Sequence, residues 1–407
     1  MISLIQPSRD NLKYLRWSYE SVRKNAGPDV EVCVADDFSS DGTWEWCQER
    51  MKADPNFKAI RNEGPTRLGH TILYDRLINE VATGDIVGIW HADMYMTPGT
   101  VEHIAANVKP GVVVSLTRIE PPLHPPGPEK VLMDFKTEPE DFNEEAFLDW
   151  YSKYQFTAKD KITEGIFAPW FLLKSDFQAV GGHDPLYAPQ SKEDSDIFNR
   201  FLLKGYYFVQ LWEAAIYHMT CRGSRFNPTI TEVGKNSSEW ETQNMISSRN
   251  FIRKWGHFVQ HDPYMKPIVP HKYDIGFIAT GCNSELLAAL EPWCSTIYIE
   301  DEMQVLTTHY LDAEQKNTKF DLNKKIKDLK HNTPNNDVVV KFNAKQLTNE
   351  NFQFLTQLPE ILADSGEVGE FQLDIFQIKI RTLNIYEDQY ITNSNQYYTD
   401  QLTLDIY

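Results

Sequence analysis

Gly84-Asp85-Ile86-Val87-Gly88-Ile89-Trp90-His91-Ala92-Asp93-Met94-Tyr95 is the stretch that decides how this chain folds. Ile86 to Trp90 is an apolar run of the length a buried strand takes. Polarity then changes abruptly to His-Ala-Asp. Side chains alternate along an extended chain, so His91 and Asp93 face one spot at a strand's C-terminal edge. Open α/β sheets bind their ligands at that edge. Taken alone, the pattern equally describes a strand followed by a polar loop.

The flanking chain supplies the context. Ile2 to Ile5 reads as a strand ended by Pro7, and Leu12, Leu15, Tyr19 and Val22 recur at helical spacing. Val30 to Val34 is a second strand, running into Asp36-Asp37, and Trp44 to Met51 a helix. Phe57 to Arg61 is a third strand, and Arg67 through Val81 a helix ended by Gly84. Strands alternating with helices predict parallel βαβ units. Further strands are expected at Val112 to Leu116, Tyr206 to Val209 and Ala214 to Tyr217. Helices are expected at Phe147 to Tyr154, after Ser191 and over Glu239 to Phe258. Residues 258–270 are proline-punctuated and read as a linker. The predicted domains are therefore 1–257 and 271–407.

Composition narrows the class. Net charge is −18 over 407 residues, with no basic block, which argues against nonspecific nucleic-acid binding. Acidity is denser after residue 270 (21 acids against 11 bases) than before it (37 against 29), as a domain change would produce. No apolar run approaches the ~20 residues of a membrane span. The N-terminus has no basic start or long apolar centre, so a cytoplasmic protein without a signal peptide is expected. Five scattered cysteines show no zinc or disulfide spacing and are expected as free thiols.

Four polar clusters fall at strand ends or helix starts, and together they resemble glycosyltransferase family 2. Val34-Ala35-Asp36-Asp37-Phe38-Ser39-Ser40-Asp41-Gly42-Thr43 resembles that family's VDDGSxDGT segment. Ala82-Thr83-Gly84-Asp85 with His91-Ala92-Asp93 resembles ATGD…DAD. Gly181-Gly182-His183-Asp184, then Lys192-Glu193-Asp194-Ser195-Asp196-Ile197-Phe198-Asn199-Arg200, resembles GGFDE…EDxDLxxR. Tyr217-His218 follows in place. The resemblance covers about residues 1–257 and implies the GT-A fold, a Rossmann-like mixed sheet flanked by helices, with a smaller C-terminal α/β accessory domain beyond it.

The same resemblance implies the chemistry. A sugar would pass from a nucleotide-diphospho-sugar, with UDP or GDP as carrier, to an acceptor hydroxyl with inversion. Asp93 is the first metal ligand, with His91 and His218 as its companions. His91 stands where the family has an aspartate, which favours Mn²⁺ over Mg²⁺. Read without the family, His218 is a strand-end histidine with a hydrogen-bonding role. Asp194 matches the family's base, and Glu193 orients it or touches the acceptor; the plain alternative is two acids suited to a helix N-terminus. Asp37 is expected on the nucleobase, with Asp36 near the ribose or bracing the turn. Pro7 lies where backbone meets the base, and Arg67 reaches base or phosphate, or is an ordinary surface arginine. Arg222 and Arg225 around Gly223 suit a loop closing over a diphosphate, or a solvated basic turn. Trp90 and Trp170 are core residues before they are sugar platforms.

Two rival functions stay open from sequence. A nucleotidyltransferase shares such a sheet, but Ile5-Gln6-Pro7-Ser8-Arg9 lacks its glycine-rich phosphate loop. An inactive nucleotide-sugar-binding module is favoured by His91. Residues 271–407 read as an accessory packing, acceptor-binding or oligomerisation module, with a homo-oligomer through it as one outcome. Tyr273 to Asp301 reads as a strand-turn-helix-strand arrangement that resembles nucleotide-binding or methyl-transfer folds but has an incomplete glycine signature.

Overall fold

Strand β1, Ile2–Ser8, is buried at every position, as a strand in the middle of a two-sided sheet must be. In the computed structural model, which describes residues 1–223, 225 and 235–392, two compact units form. Unit 1 is residues 1–244 with 261–268, and unit 2 is residues 245–260 with the chain from 269 on.

Unit 1 holds β1 between β2 (Glu31–Asp37) and, on the other side, β4 (Ile86–Ile89), both parallel to it. β3 (Phe57–Asn62) continues the parallel run beyond β2. Helices α1 (Leu12–Asn25), α2 (Thr43–Ala53) and α3 (Gly69–Arg76) make the crossovers. Alternation along the strands feeds two separate cores. Leu4, Val32 and Val34 pack with Leu15 and Val22 of α1, while Ile5, Cys33 and Ala35 pack with Leu73 of α3. Burying a side chain such as Leu15 contributes about 1.5–3 kcal/mol.

The second half of the sheet is mixed. β5 is Met94–Tyr95, β6 Val112–Glu120, β7 Lys130–Leu132, β8 Ile162–Thr163, β9 Trp170–Leu173 and β10 Tyr207–His218. The order is β3-β2-β1-β4-β9-β6-β10-β5, with β7 on β6 and β8 on β10. Between β4 and β10 lie α4 (Thr100–Asn107), α5 (Glu144–Ala158), α6 (Lys174–Ala179) and α7 (Glu193–Leu203). This is the mixed, helix-flanked sheet that the family resemblance implies.

Three elements differ from expectation. The helix expected from Arg67 starts only at Gly69, the Leu68 and Gly69 N–H groups being taken by Asp37, and it finishes as a π-turn over Leu77–Val81. The two strands expected after Tyr206 are one strand, β10, with a bulge. Leu211 pairs with Leu116, but Ala215 pairs with Thr117, so β10 carries extra residues there. β6 runs on to Glu120 and carries buried polar residues that do not read as a strand.

Helix α8, Ser238–Trp255, ends at Gly256 with φ +84. Residues 245–257, read from the sequence with the N-terminal domain, cluster in unit 2. Ile252 packs into the apolar core of that unit, and Arg253 is buried and donates to Glu291 at 2.7 Å, where Lys325 meets the same carboxylate at 2.7 Å. Unit 2 has parallel strands β11 (Ile275–Thr280), β12 (Thr296–Ile299), β13 (Ile326–Asp328) and β14 (Val338–Asn343). A hairpin, β15 (Gly369–Leu373) and β16 (Phe376–Ile380), completes the order β13-β12-β11-β14-β16-β15. Its nucleotide-like turn is occupied by its own side chains. Glu300 accepts from Gly281 N at 2.9 Å, and Asn343 and Lys345 crowd Gly281. No helix among the described residues is long and apolar enough to cross a membrane.

Candidate active site

Strand register in unit 1 assembles a metal-capable cluster. The loop after β4 carries His91 and Asp93, and β5 pairs with the end of β10, His218 opposite Met94. Met219 N donates to Asp93 O at 3.0 Å, which fixes the two segments side by side. As a result, ligand atoms of His91, Asp93 and His218 all lie within 4.8 Å of one another. His218 Nε2 is 3.4 Å from Asp93 Oδ1, and its Nδ1 is 2.8 Å from Glu120 Oε1. Burial pushes His91 down to about 4, so its ring is neutral and can offer a lone pair. Burial also acts to lower His218, but the Asp93 and Glu120 carboxylates outweigh it and raise the ring to about 9. Burial acts to raise Asp93, and the His218 ring overrides it, leaving a carboxylate below its ordinary range. Two imidazoles and one carboxylate converging on one point suit a transition-metal dication better than Mg²⁺.

The second group is the acid pair at the start of α7. Ser191 and Lys192 both have left-handed backbone, φ +81 and +72, and turn the chain sharply into the helix. Asn244 Oδ1 holds that turn by accepting from Ser191 Oγ at 2.7 Å and Lys192 Nζ at 2.9 Å. Glu193 and Asp194 follow as the first two helical residues. Glu193 Oε2 is buried and receives no hydrogen bond among the described residues, and Asp194 Oδ1 is buried with the Trp170 indole as its neighbour. Burial raises both carboxyls, and the Asp194 charge raises Glu193 further. A carboxylate so placed is a ready proton acceptor. Asp196, by contrast, pairs with buried Arg200 at 2.8 Å and is structural.

One cleft of about 580 Å³ joins both groups. Pro7, Asp37, Arg67, His91, Asp93, Glu193, Asp194, His218 and Arg225 all line it. Within it, Asp37 is already engaged, accepting from Gly69 N at 2.8 Å, Leu68 N at 3.1 Å and Asn62 Nδ2 at 2.8 Å. Arg67 donates to Gln190 at 2.9 Å, and Arg225 lies 4.3 Å above the Trp240 ring.

Two expected residues are not among those lining the cleft. Asp36 is fully buried, accepts from Ser39 N at 3.1 Å and pairs with Arg61 at 3.2 Å, so it braces the turn. Arg222 donates to Thr137 O at 3.0 Å and pairs with Glu138 at 3.2 Å. Ser224, between the two loop arginines, lies outside the described residues. Trp90 and Trp170 are wholly buried.

Sequence reading missed His70, Tyr74, Arg118, Glu120 and Lys130, which also line the cleft. Tyr74 sits on the apolar stripe of α3 and reads as core. Arg118, Glu120 and Lys130 lie where no motif points.

Residues 3–181 match the family described as Glycosyl transferase family 2. No curated protein matches the chain. Among solved structures, the chain is similar to "GalNAc-T7 with UDP, GalNAc and Mn2+" at 14% identity and TM-score 0.44, covering 63% of this chain and 48% of that one. It is also similar to the mannosyltransferase PcManGT from Pyrobaculum calidifontis with GDP-Man and Mn2+ (18%, TM-score 0.38, covering 54% and 56%). A third is S. aureus TarS 1-349 with UDP-GlcNAc (20%, TM-score 0.36, covering 54% and 60%). The alignments span less than two thirds of each of those chains.

Proposed function

We propose that unit 1, whose residues 3–181 match the glycosyltransferase family 2 model, transfers one sugar, with inversion, from a nucleotide-diphospho-sugar to an acceptor hydroxyl. The observation that carries the reading is one cleft holding both a His-Asp-His cluster and a buried, proton-hungry acid pair. His91, Asp93 and His218 would hold a divalent cation, Mn²⁺ in preference to Mg²⁺. When bound, that cation supplies positive charge against the diphosphate leaving group. Asp194 takes the acceptor hydroxyl proton as the new C–O bond forms and the sugar–phosphate bond breaks, the electron pair leaving on the nucleoside diphosphate. Glu193 keeps the pair's local charge high and orients it. Arg225 and Arg67 offer cations along the same wall, and Pro7 and Asp37 bound the nucleoside end. Unit 2 is proposed as an accessory module outside the chemistry.

The test is nucleoside diphosphate release from UDP- and GDP-sugars with Mn²⁺, with and without hydroxyl acceptors. Turnover that falls ~10²–10⁴-fold in Asp194→Asn, with donor binding retained, supports the proposal. One observation favours a second reading, an inactive binding module: His91 stands where the family has a carboxylate. Donor binding with no turnover in the unsubstituted protein would establish that alternative.

A further inference from the structure

Glu120 has no part in the roles given above, yet it is a buried carboxylate with three charged or polar partners in the cleft wall. It ends β6, is 2% exposed, and sits beside His218 because β6 and β10 pair in register through Ile119 and Tyr217. Its Oε1 is 2.8 Å from His218 Nδ1, while the other ring nitrogen faces Asp93 at 3.4 Å. Lys130 Nζ holds Oε2 at 3.3 Å, and the Arg118 guanidinium, seated over the Phe167 ring, lies 3.6 Å from Oε1. The carboxylate is thereby held by two cations as well as by the ring.

An imidazole nitrogen that donates its proton to a carboxylate has no lone pair to give. With Nδ1–H committed to Glu120 at 2.8 Å, the proton a cation would displace is the one on Nε2, the nitrogen aimed at Asp93. We propose that Glu120 is a positioning residue that sets the ring orientation and tautomer of His218, so that Nε2 is presented to a divalent cation shared with His91 and Asp93. This rests on the reading of that triad as a cation site. Outer carboxylates of this kind are typically worth 10–100-fold in metal affinity.

The experiment measures Mn²⁺ affinity by electron paramagnetic resonance, without donor, for Glu120→Gln and Glu120→Leu. Both are made in a Lys130→Met background, so that no ammonium competes for the glutamine oxygen. Each variant loses the same negative charge, so coulombic attraction falls equally, and only glutamine keeps an acceptor for Nδ1–H. The dissociation constant of the leucine variant is expected to be ~10–100-fold weaker than that of the glutamine variant. In Zn²⁺-loaded protein, the His218 ¹⁵N signals, assigned by their loss in His218→Ala, should show Nε2 ligation with Nδ1–H in the glutamine variant and a mixture in the leucine variant. Equal affinities in the two variants, with Mn²⁺ still bound by the unsubstituted protein, would overturn the role of Glu120 alone. No Mn²⁺ binding by the unsubstituted protein would overturn the triad and this inference together.

Discussion

Gly69→Ala tests whether the start of α3 sets the position of the acid pair. Gly69 has φ +73, and a Cβ built there would lie 2.1 Å from Pro189 O and 2.4 Å from Pro189 Cβ. Real Cβ atoms essentially never approach closer than 3.0 Å, so Pro189 must recede by about 0.9 Å. Pro189 stands just ahead of the Ser191–Lys192 turn and Glu193. A shift of about 1 Å in a reacting group can cost ~100-fold in rate, which is about 2.7 kcal/mol of barrier. The left-handed backbone adds about 1–2 kcal/mol of folding cost for alanine. Gly27→Ala is the control: φ is +77, but nothing lies within 4 Å of its Cβ. Nucleoside diphosphate release and thermal denaturation should be followed for both variants. The expected outcome is a loss of melting temperature in both, larger in Gly69→Ala because of the Pro189 clash, and a ~100-fold loss of turnover in Gly69→Ala alone. Unchanged turnover in Gly69→Ala, or equal impairment in Gly27→Ala, would refute the reasoning.

Three further outcomes are expected. Glu193 binds a proton more tightly folded than unfolded, so its contribution to stability is present below its ordinary value of 4.5 and lost as pH rises through the raised folded value. Glu193→Gln should therefore raise the melting temperature relative to the unsubstituted protein at pH 8 and much less at pH 4; equal shifts at both would contradict the assignment. Asp196→Ala leaves the fully buried Arg200 without its carboxylate and should cost about 3–5 kcal/mol in denaturant unfolding, whereas a loss below ~1 kcal/mol would show that the pair is dispensable. Chelation should abolish transfer, and Mn²⁺ should restore it better than Mg²⁺ at equal concentration; full activity in chelator would remove the cation from the reaction.

The alternating strands and helices of residues 1–93 were legible because apolar runs and glycine breaks coincide there. His91, Asp93, His218 and the pair Glu193–Asp194 stood out as candidates because each lies beside a strand end or opens a helix, and one cleft brings them together. Asp36 and Asp37 show what one sequence leaves ambiguous. Successive residues of β2 face opposite sides of the sheet, so only one of the two can join the α3 side, and it is Asp37. Alternation offered that choice but not its outcome. Glu120 was hidden for another reason: it is a buried charge whose partners, His218, Arg118 and Lys130, come from two other strands and its own. Nothing local to β6 announces such a group, since only strand pairing creates its surroundings.

The irregularity in β10 acts as a reading frame for the cluster. Four steps along β10, from Leu211 to Ala215, correspond to a single step along β6, from Leu116 to Thr117. Were the two strands to march in step from Leu211, the residue level with Glu120 would be Ala215, whose methyl can neither receive a proton nor ligate an ion. Which side chain stands beside Glu120 as the proposed third ligand is thus written into the length of one short detour. Changing that length by a residue would turn the buried Ala215, Ile216 and Tyr217 to opposite faces and hand the position to a different side chain.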